Sequence, residues 1–377
     1  MKFFNIENLI LNRIRAIPAY QRVALTLWDM ESYKQDIIFN KIRGLYRATS
    51  MESCVKSITE SRYLLFNYRY HNVGVGHHNL GDYVQTIATR NALEYVLKGQ
   101  CGKFEFWDRD SLSFYGASAS KKRAFCVMQG WFSHSNNFLP SKQVIPVYLG
   151  THLSQKAQEL IQRVLCIDPS FFDNVEFGCR DLFTLKFCKE NGLDSYFSRC
   201  LTLTYPRRSQ NPVHRKCFLV DFPVECEHYL PQSIQKSSIR INQKLIKTNE
   251  HWTSLYRKAQ DLLDLYRDTA SLVVTTALHC AAPCLAMGIP VVLIAANPKE
   301  NKNRFSALSG LCRIYSYDDL KARKIPFSEI SNLDIEDLKE LLFNNLYFSI
   351  SKASGSKIDA EELKLIRKNI QMYNKIG

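Results

Sequence analysis

No two of the 12 cysteines in this chain stand in a C-x-x-C spacing, so neither a zinc ribbon nor a thioredoxin-type redox pair is written into it. Cys126, Cys280 and Cys284 instead lie inside apolar runs, where a thiol acts as a small hydrophobe. That usage points to a reducing cytoplasm and no disulfide framework. No G-x-x-x-x-G-K-[ST] and no G-x-G-x-x-G occurs, which removes the P-loop and the dinucleotide fingerprint. Lys and Arg never form a long unbroken block, which makes nucleic acid the weakest candidate partner. The opening residues carry Glu7 and have no continuous apolar core or small-residue cleavage site, so no secretory signal is expected. Acidic residues are in deficit, 36 against 50 Lys and Arg, a formal charge of +14. That excess suits anionic small substrates or an anionic membrane surface, unless it is simply a solvated face.

What is present is organised around one uncharged stretch, residues 271–296. Pro283, Gly288 and Pro290 interrupt it, so it does not read as a membrane span. The β-branched run over 271–275 predicts a buried strand, 276–278 a turn, and 280–287 a short helix of small residues stopped by Gly288. Residues 290–295 predict the next strand. Continuous apolar strands imply a parallel sheet covered on both faces. His279 then falls where a strand ends and a helix begins, the edge at which open α/β sheets bind ligands and helix amides attract anions. A lone His is more often structural, but this position makes it a candidate acid/base.

The length of 377 residues allows two cores. Residues 1–60 carry partial helical stripes (Leu9, Ile10, Ile14, Ile17, then Ile37, Ile38, Ile42, Leu45) with Arg13, Arg15, Lys41, Arg43 and Arg47 beside them. They read as an amphipathic helical extension, packed on the following domain or lying against an anionic membrane surface. From residue 61 strands and helices alternate. Strands are expected at 63–68, 103–107, 124–129, 144–150 and 174–178, with helices at 82–97, 153–165 and 182–191. Between the first strand and the first helix lie Gly74, Gly76 and Gly81, either an anion cradle or a plain loop with Asp82 as helix cap. His71, His77 and His78 share that loop, but no carboxylate or Cys completes a ligand set, so no metal is expected. Trp131, at the end of the third strand, faces the crevice or the core. Arg180 is either an anion contact or a domain-closing salt bridge, and Asp181 reads as a helix cap. A Pro-marked, polar segment around 206–215 separates residues 61–206 from 207–350. Residues 222–250 look irregular, helices are expected at 250–267, 335–345 and 360–374, and the helix in 351–377 is expected to pack back on the first domain.

Thr275, Leu278, His279, Cys280, Ala281, Pro283, Cys284, Leu285, Ala286, Gly288, Pro290, Val291 and Val292 follow the order T-x-R-L-H-C-A-x-P-C-L-A-x-G-x-P-V-V. This resembles the closing motif of the polysaccharide pyruvyl transferase family. Asn79–Asp82 resembles its N-x-G-D motif, Arg180 and Asp181 its R-D pair, Gly130 and Trp131 its Gly-rich turn, and Arg304 and Phe305 its R-F pair. One position departs: the family has Arg where this chain has Ala277.

The resemblance implies an α/β fold of two Rossmann-like domains facing across a cleft, similar to the GT-B arrangement. It implies transfer of a pyruvyl group from phosphoenolpyruvate, a co-substrate, to two hydroxyls of a sugar or glycan-lipid acceptor, with no cofactor and no metal. His279 and Asp82 become the catalytic candidates. Arg180, Arg304, Arg207, Asn79, Gly81, Leu278 and Cys280 become candidates for holding the donor's anionic groups. Trp131 and His78 become candidates for meeting the acceptor. A cytoplasmic protein peripheral to the inner face of the membrane is the matching location. Because Ala277 removes one anion clamp, a glycosyltransferase using a nucleotide sugar is the alternative. A non-catalytic interaction module is a third reading, disfavoured by the retained His279, Asp82 and Arg180.

Overall fold

The structure, a computed structural model, describes residues 45, 58–68, 77–99, 102–116, 123–132, 135–246, 249–295 and 303–376. The helical extension over 1–60, apart from Leu45 and 58–60, lies outside the described residues, and so do Gly74, Gly76 and His71.

The chain begins with β1 (Arg62–Asn67), β2 (His77–Asn79), α1 (Leu80–Val96), β3 (Phe104–Asp108), β4 (Ala124–Val127) and β5 (Gly130–Phe132). It continues with β6 (Val144–Val147), β7 (Thr151–Leu153), α2 (Gln155–Ile167), β8 (Phe177–Cys179), α3 (Leu182–Glu190) and β9 (Ser195–Phe197). Then come β10 (Lys216–Val220), α4 (Gln232–Ser237), β11 (Ser238–Ile241), β12 (Lys244–Ile246), α5 (Trp252–Thr269), β13 (Ala270–Thr275) and α6 (Leu278–Ala286). The last elements are β14 (Val291–Ala295), β15 (Ile314–Ser316), α7 (Tyr317–Lys321), α8 (Glu336–Ala353) and α9 (Ala360–Met372).

Three sheets are parallel throughout. The first has order β3-β1-β4-β6, the second β5-β7-β8-β9, and the third β11-β10-β13-β14-β15. In sequence terms the third sheet runs second-first-third-fourth-fifth, a doubly wound order whose direction of winding reverses between β10 and β13. The first sheet reverses in the same way between β1 and β4. Both reversals involve the C-terminal ends of β1 and β13, the edge at which open α/β sheets bind ligands. Those ends lead to α1, through residues 68–79, and to α6. β2 and β12 add a small antiparallel ribbon.

The apolar stretch folds as its pattern dictates. β14 is buried at every position, and Gly288 takes φ +73°, the left-handed turn that only glycine adopts without strain. The Ile289 N–H closes back on the Cys284 carbonyl at 2.9 Å, a helix-ending bond. Three expectations are corrected. The segment 222–250 is not irregular: it contains α4, β11 and β12, with β11 completing the edge of the third sheet beside β10. The expected strands over 124–129 and 144–150 end early, at Val127 and Val147, and each is followed by a separate three-residue strand that was not expected, β5 and β7. β4 and β6 lie in the first sheet, and β5 and β7 in the second. The cap of α1 is Asn79, whose Oδ1 accepts the Gly81 N–H at 3.1 Å, and not Asp82.

The C-terminal helices are fastened by charge. Glu176 accepts both guanidinium arms of Arg367 on α9 at 3.0 Å and the Lys352 ammonium on α8 at 2.7 Å. Arg199 is buried and donates to the carbonyls of Ala307, Ser309, Ile370 and Tyr373, and burial pushes its guanidinium down to about 10. It thereby ties the turn after Arg304 to the last helix.

Candidate active site

Helix starts converge here. α6 begins at Leu278 with Ala277 as its cap residue, and Ala277 offers no side-chain acceptor, so this end is uncapped. α1 and α3 are capped, by Asn79 and by Asp181. The uncapped end therefore keeps its positive dipole and leading amides available to an anion. Of those amides, Cys280 N–H is already taken by the Ala277 carbonyl at 3.2 Å, which leaves Leu278 and His279 at the head of the helix.

The first turn of α1 lies directly on His279. A Cβ built on Gly81 would stand 3.2 Å from His279 Cβ and 3.1 Å from Asn79 Oδ1, so only glycine allows this approach without displacement. On the other side, Arg180 Nη1 lies 3.3 Å from His279 Nε2. A guanidinium can only donate, so Nε2 is the acceptor and the imidazole is neutral. The His279 ring is half-buried. Burial first, then Arg180, Arg304 and His152, push its pKa well below the ordinary value of 6.5. Two cations remote in sequence thus help burial hold the imidazole neutral.

Arg180 is 2% exposed. Its Nη1 also donates to Gln85 Oε1 at 3.3 Å, while Gln85 Nε2 donates to Asp82 Oδ1 at 3.3 Å. Asp82 is buried, and its charge helps raise the pKa of buried Arg109. It therefore connects to His279 through Gln85 and Arg180. Arg304 is exposed, at the head of a short turn whose Ser306 Oγ accepts the Leu182 N–H at 2.8 Å. That bond docks the turn on the start of α3 and brings the Arg304 charge to bear on both His152 and His279.

Other candidates are not gathered here. Arg207 packs against Gly288, at the far end of α6, and pairs with Asp334 at 3.0 Å. Nine residues of helix at 1.5 Å each put roughly 13 Å between the two ends. His78 lies on β2, opposite Leu245 of the ribbon. Trp131 is half-buried on β5, its ring 6.3 Å from that of His152.

His152 is the residue sequence reasoning missed. It sits on β7, 4% exposed, with Nδ1 2.6 Å from Asp181 Oδ2. Burial alone would raise the Asp181 carboxyl, but His152, Arg180 and the Thr184 amide hold it below its ordinary value. An ionised carboxylate only accepts, so Nδ1 carries the hydrogen. Burial lowers the His152 pKa, Asp181 opposes this, and Arg180 and Arg304 add to it. The only sequence signal was a His just beyond a strand end, hidden because 144–150 read as one strand and 153–165 as a helix.

A family model described as polysaccharide pyruvyl transferase matches residues 79–298, more than half of the chain. The chain belongs to the polysaccharide pyruvyl transferase family. The match begins at the Asn79 cap and spans Asp82, Arg180 and His279; Arg304 lies beyond its end. Family membership indicates a transferase acting in polysaccharide biosynthesis. A comparison with curated proteins finds no match. Among the described residues no group of three or more His, Cys, Asp or Glu stands together so as to hold a metal ion, and no helix is long and apolar enough to cross a membrane.

Proposed function

We propose that this polysaccharide pyruvyl transferase moves the pyruvyl group of phosphoenolpyruvate onto two hydroxyls of one sugar in a polysaccharide or glycan precursor. A cyclic ketal closes and phosphate leaves. The observation that carries the reading is a neutral His279 held 3.3 Å from Arg180 at an uncapped helix start.

The donor brings a carboxylate and a phosphate, which need cations with paired donors. Arg180 and Arg304 supply these, and the leading amides of α6 at Leu278 and His279 add partial positive charge. Both arginines depress the imidazole while the site is empty. Donor charge neutralises them, raises the His279 pKa and lets it take up a proton. His279 then protonates the methylene carbon, and the carbon bearing the phosphate becomes open to attack. Asp82 orients Arg180 through Gln85. Asn79 and Gly81 hold the start of α1 against the imidazole. Trp131 offers an apolar face to the acceptor ring. Guanidinium and helix amides neutralise the departing phosphate, so the scheme uses no metal.

The test is phosphate release from phosphoenolpyruvate in the presence of pyranoside acceptors. Wild type is expected to release phosphate in an acceptor-dependent way, and His279→Ala to lose roughly 10²–10⁴-fold in turnover. Undiminished turnover in that variant removes the role. Thermal stabilisation by nucleotide sugars with silence toward phosphoenolpyruvate would instead favour the glycosyltransferase.

A further inference from the structure

We infer that His152, oriented by Asp181, is a second catalytic residue of this site, the base that takes the proton of the attacking acceptor hydroxyl. The inference rests on the pyruvyl-transfer reading above.

The reaction needs two proton carriers in opposite states. One must give a proton to the methylene carbon while another removes one from the acceptor oxygen, and a single imidazole cannot begin as both. His279 has cations beside it and becomes an acid only when an anionic donor arrives. His152 stands under the same two arginines but has a carboxylate against its ring. Its Nδ1–H donates to Asp181 at 2.6 Å, which fixes the tautomer and leaves the Nε2 lone pair as the basic site. No described residue forms a hydrogen bond to Nε2 in the structure. Asp181 is itself fixed: its Oδ1 accepts the Thr184 N–H and hydroxyl, both at 3.0 Å. Asp181 is therefore a positioning residue, and its charge stabilises the imidazolium once His152 has taken the proton.

Aromatic rings hold the imidazole plane, with Phe183 stacked at 6.0 Å and Trp131 tilted at 6.3 Å between centroids. The charged and titratable groups acting on His152 are Asp181 and Arg180 at the start of α3 and Arg304 on its turn, and His152 in turn acts on His279. Burial, the largest influence, holds the His152 pKa below its ordinary value against the pull of Asp181, with Arg180 and Arg304 adding to it, and a bound donor that shuts out water keeps that burial in place, so His152 starts neutral and ready to accept.

The steps balance. The first acceptor oxygen forms a bond to the donor carbon that bears the phosphate, and its proton passes to His152 Nε2. The electron pair of the carbon–carbon double bond takes the proton of His279. The carbon–oxygen bond to phosphate then breaks, with the pair leaving on phosphate. The second hydroxyl oxygen bonds to the same carbon and returns a proton to His279. Phosphate carries away the proton held by His152.

The deciding variant is His152→Gln, whose amide can still donate to Asp181 but cannot titrate. The expected result is phosphoenolpyruvate affinity within twofold of wild type and kcat lower by roughly 10²–10⁴-fold. The acidic limb of the kcat–pH profile, which falls as His152 protonates below the ordinary imidazole range, should disappear. The alkaline limb, which reports protonated His279, should remain. In His152→Ala, added imidazole should restore part of the rate. A His152→Gln enzyme with kcat within threefold of wild type overturns the inference alone. So does a slow one that keeps its acidic limb while imidazole leaves His152→Ala unchanged, because that marks a structural role. A wild type that releases no phosphate from phosphoenolpyruvate overturns the pyruvyl reading together with it.

Discussion

Gly81 shows how little room a single residue has here. It sits behind the Asn79 cap because the first turn of α1 must pass against His279, and a methyl group would intrude at 3.2 Å on one side and 3.1 Å on the other. Either the imidazole or the cap must move by a few tenths of an ångström. Overpacking of this kind costs about 1–3 kcal/mol, and a misplaced catalytic group loses rate out of proportion to the shift. Gly81→Ala is therefore expected to lower kcat by roughly 10–100-fold while denaturant unfolding loses no more than that range. Steady-state kinetics beside a urea titration checks it, and an unchanged kcat would show that the contact does not set the imidazole. Ala277 illustrates the converse. It leaves a helix start bare of any side-chain cap or charge, and Arg180 and Arg304 supply the cationic field from other parts of the chain.

Elements, rather than single contacts, carry the charges that matter for stability. Glu176 precedes β8 and binds α9 through Arg367 and α8 through Lys352, while the Arg367 guanidinium stands 3.7 Å from the Tyr196 ring centroid on β9. Burial would raise the Glu176 carboxyl, but Arg367 and Lys352 outweigh it and hold the pKa below 4.5. A depressed carboxyl adds stability that is present above its unfolded value and is lost as pH falls through the folded one. Glu176→Gln is expected to cost about 1.5–3 kcal/mol at pH 7, the range for hydrogen bonds to charged groups. The gap between variant and wild type should narrow steadily as pH drops below the ordinary carboxylate value. Urea midpoints of both proteins at pH 7 and below pH 4 test this, and a gap that does not change with pH would assign the cost to packing.

At the scale of the whole molecule, the candidate site draws on four separated parts of the chain: the start of α1, the β7–α3 region, the start of α6 and the turn at Arg304. Two neutral imidazoles beside two arginines make a site biased toward anions before any ligand arrives. Phosphoenolpyruvate at about 100 times its dissociation constant should stabilise the fold by roughly 2.7 kcal/mol. Because bound negative charge raises the His279 pKa, binding near pH 7 should also take up protons. Titration calorimetry in two buffers of different ionisation enthalpy reads that uptake directly. Binding enthalpies that do not depend on the buffer would mean that His279 does not change its protonation state with the donor.

The residues alone determined a good deal. The uncharged stretch specified β13, α6, the Gly288 stop and β14, because continuous apolar strands and a left-handed glycine leave few other solutions. The motif residues specified the family and His279 as the centre of interest. The second sheet was not legible, since β5 and β7 are only three residues long and their pattern merges with that of the strands before them. Nor was the ribbon of β2 and β12, whose pairing joins residues more than 160 positions apart. The protonation state of His279 and the His152–Asp181 pair were decided by the tertiary structure alone. A pKa is set by burial and by charges a few ångströms away, and Arg180 reaches His279 across 99 residues of sequence.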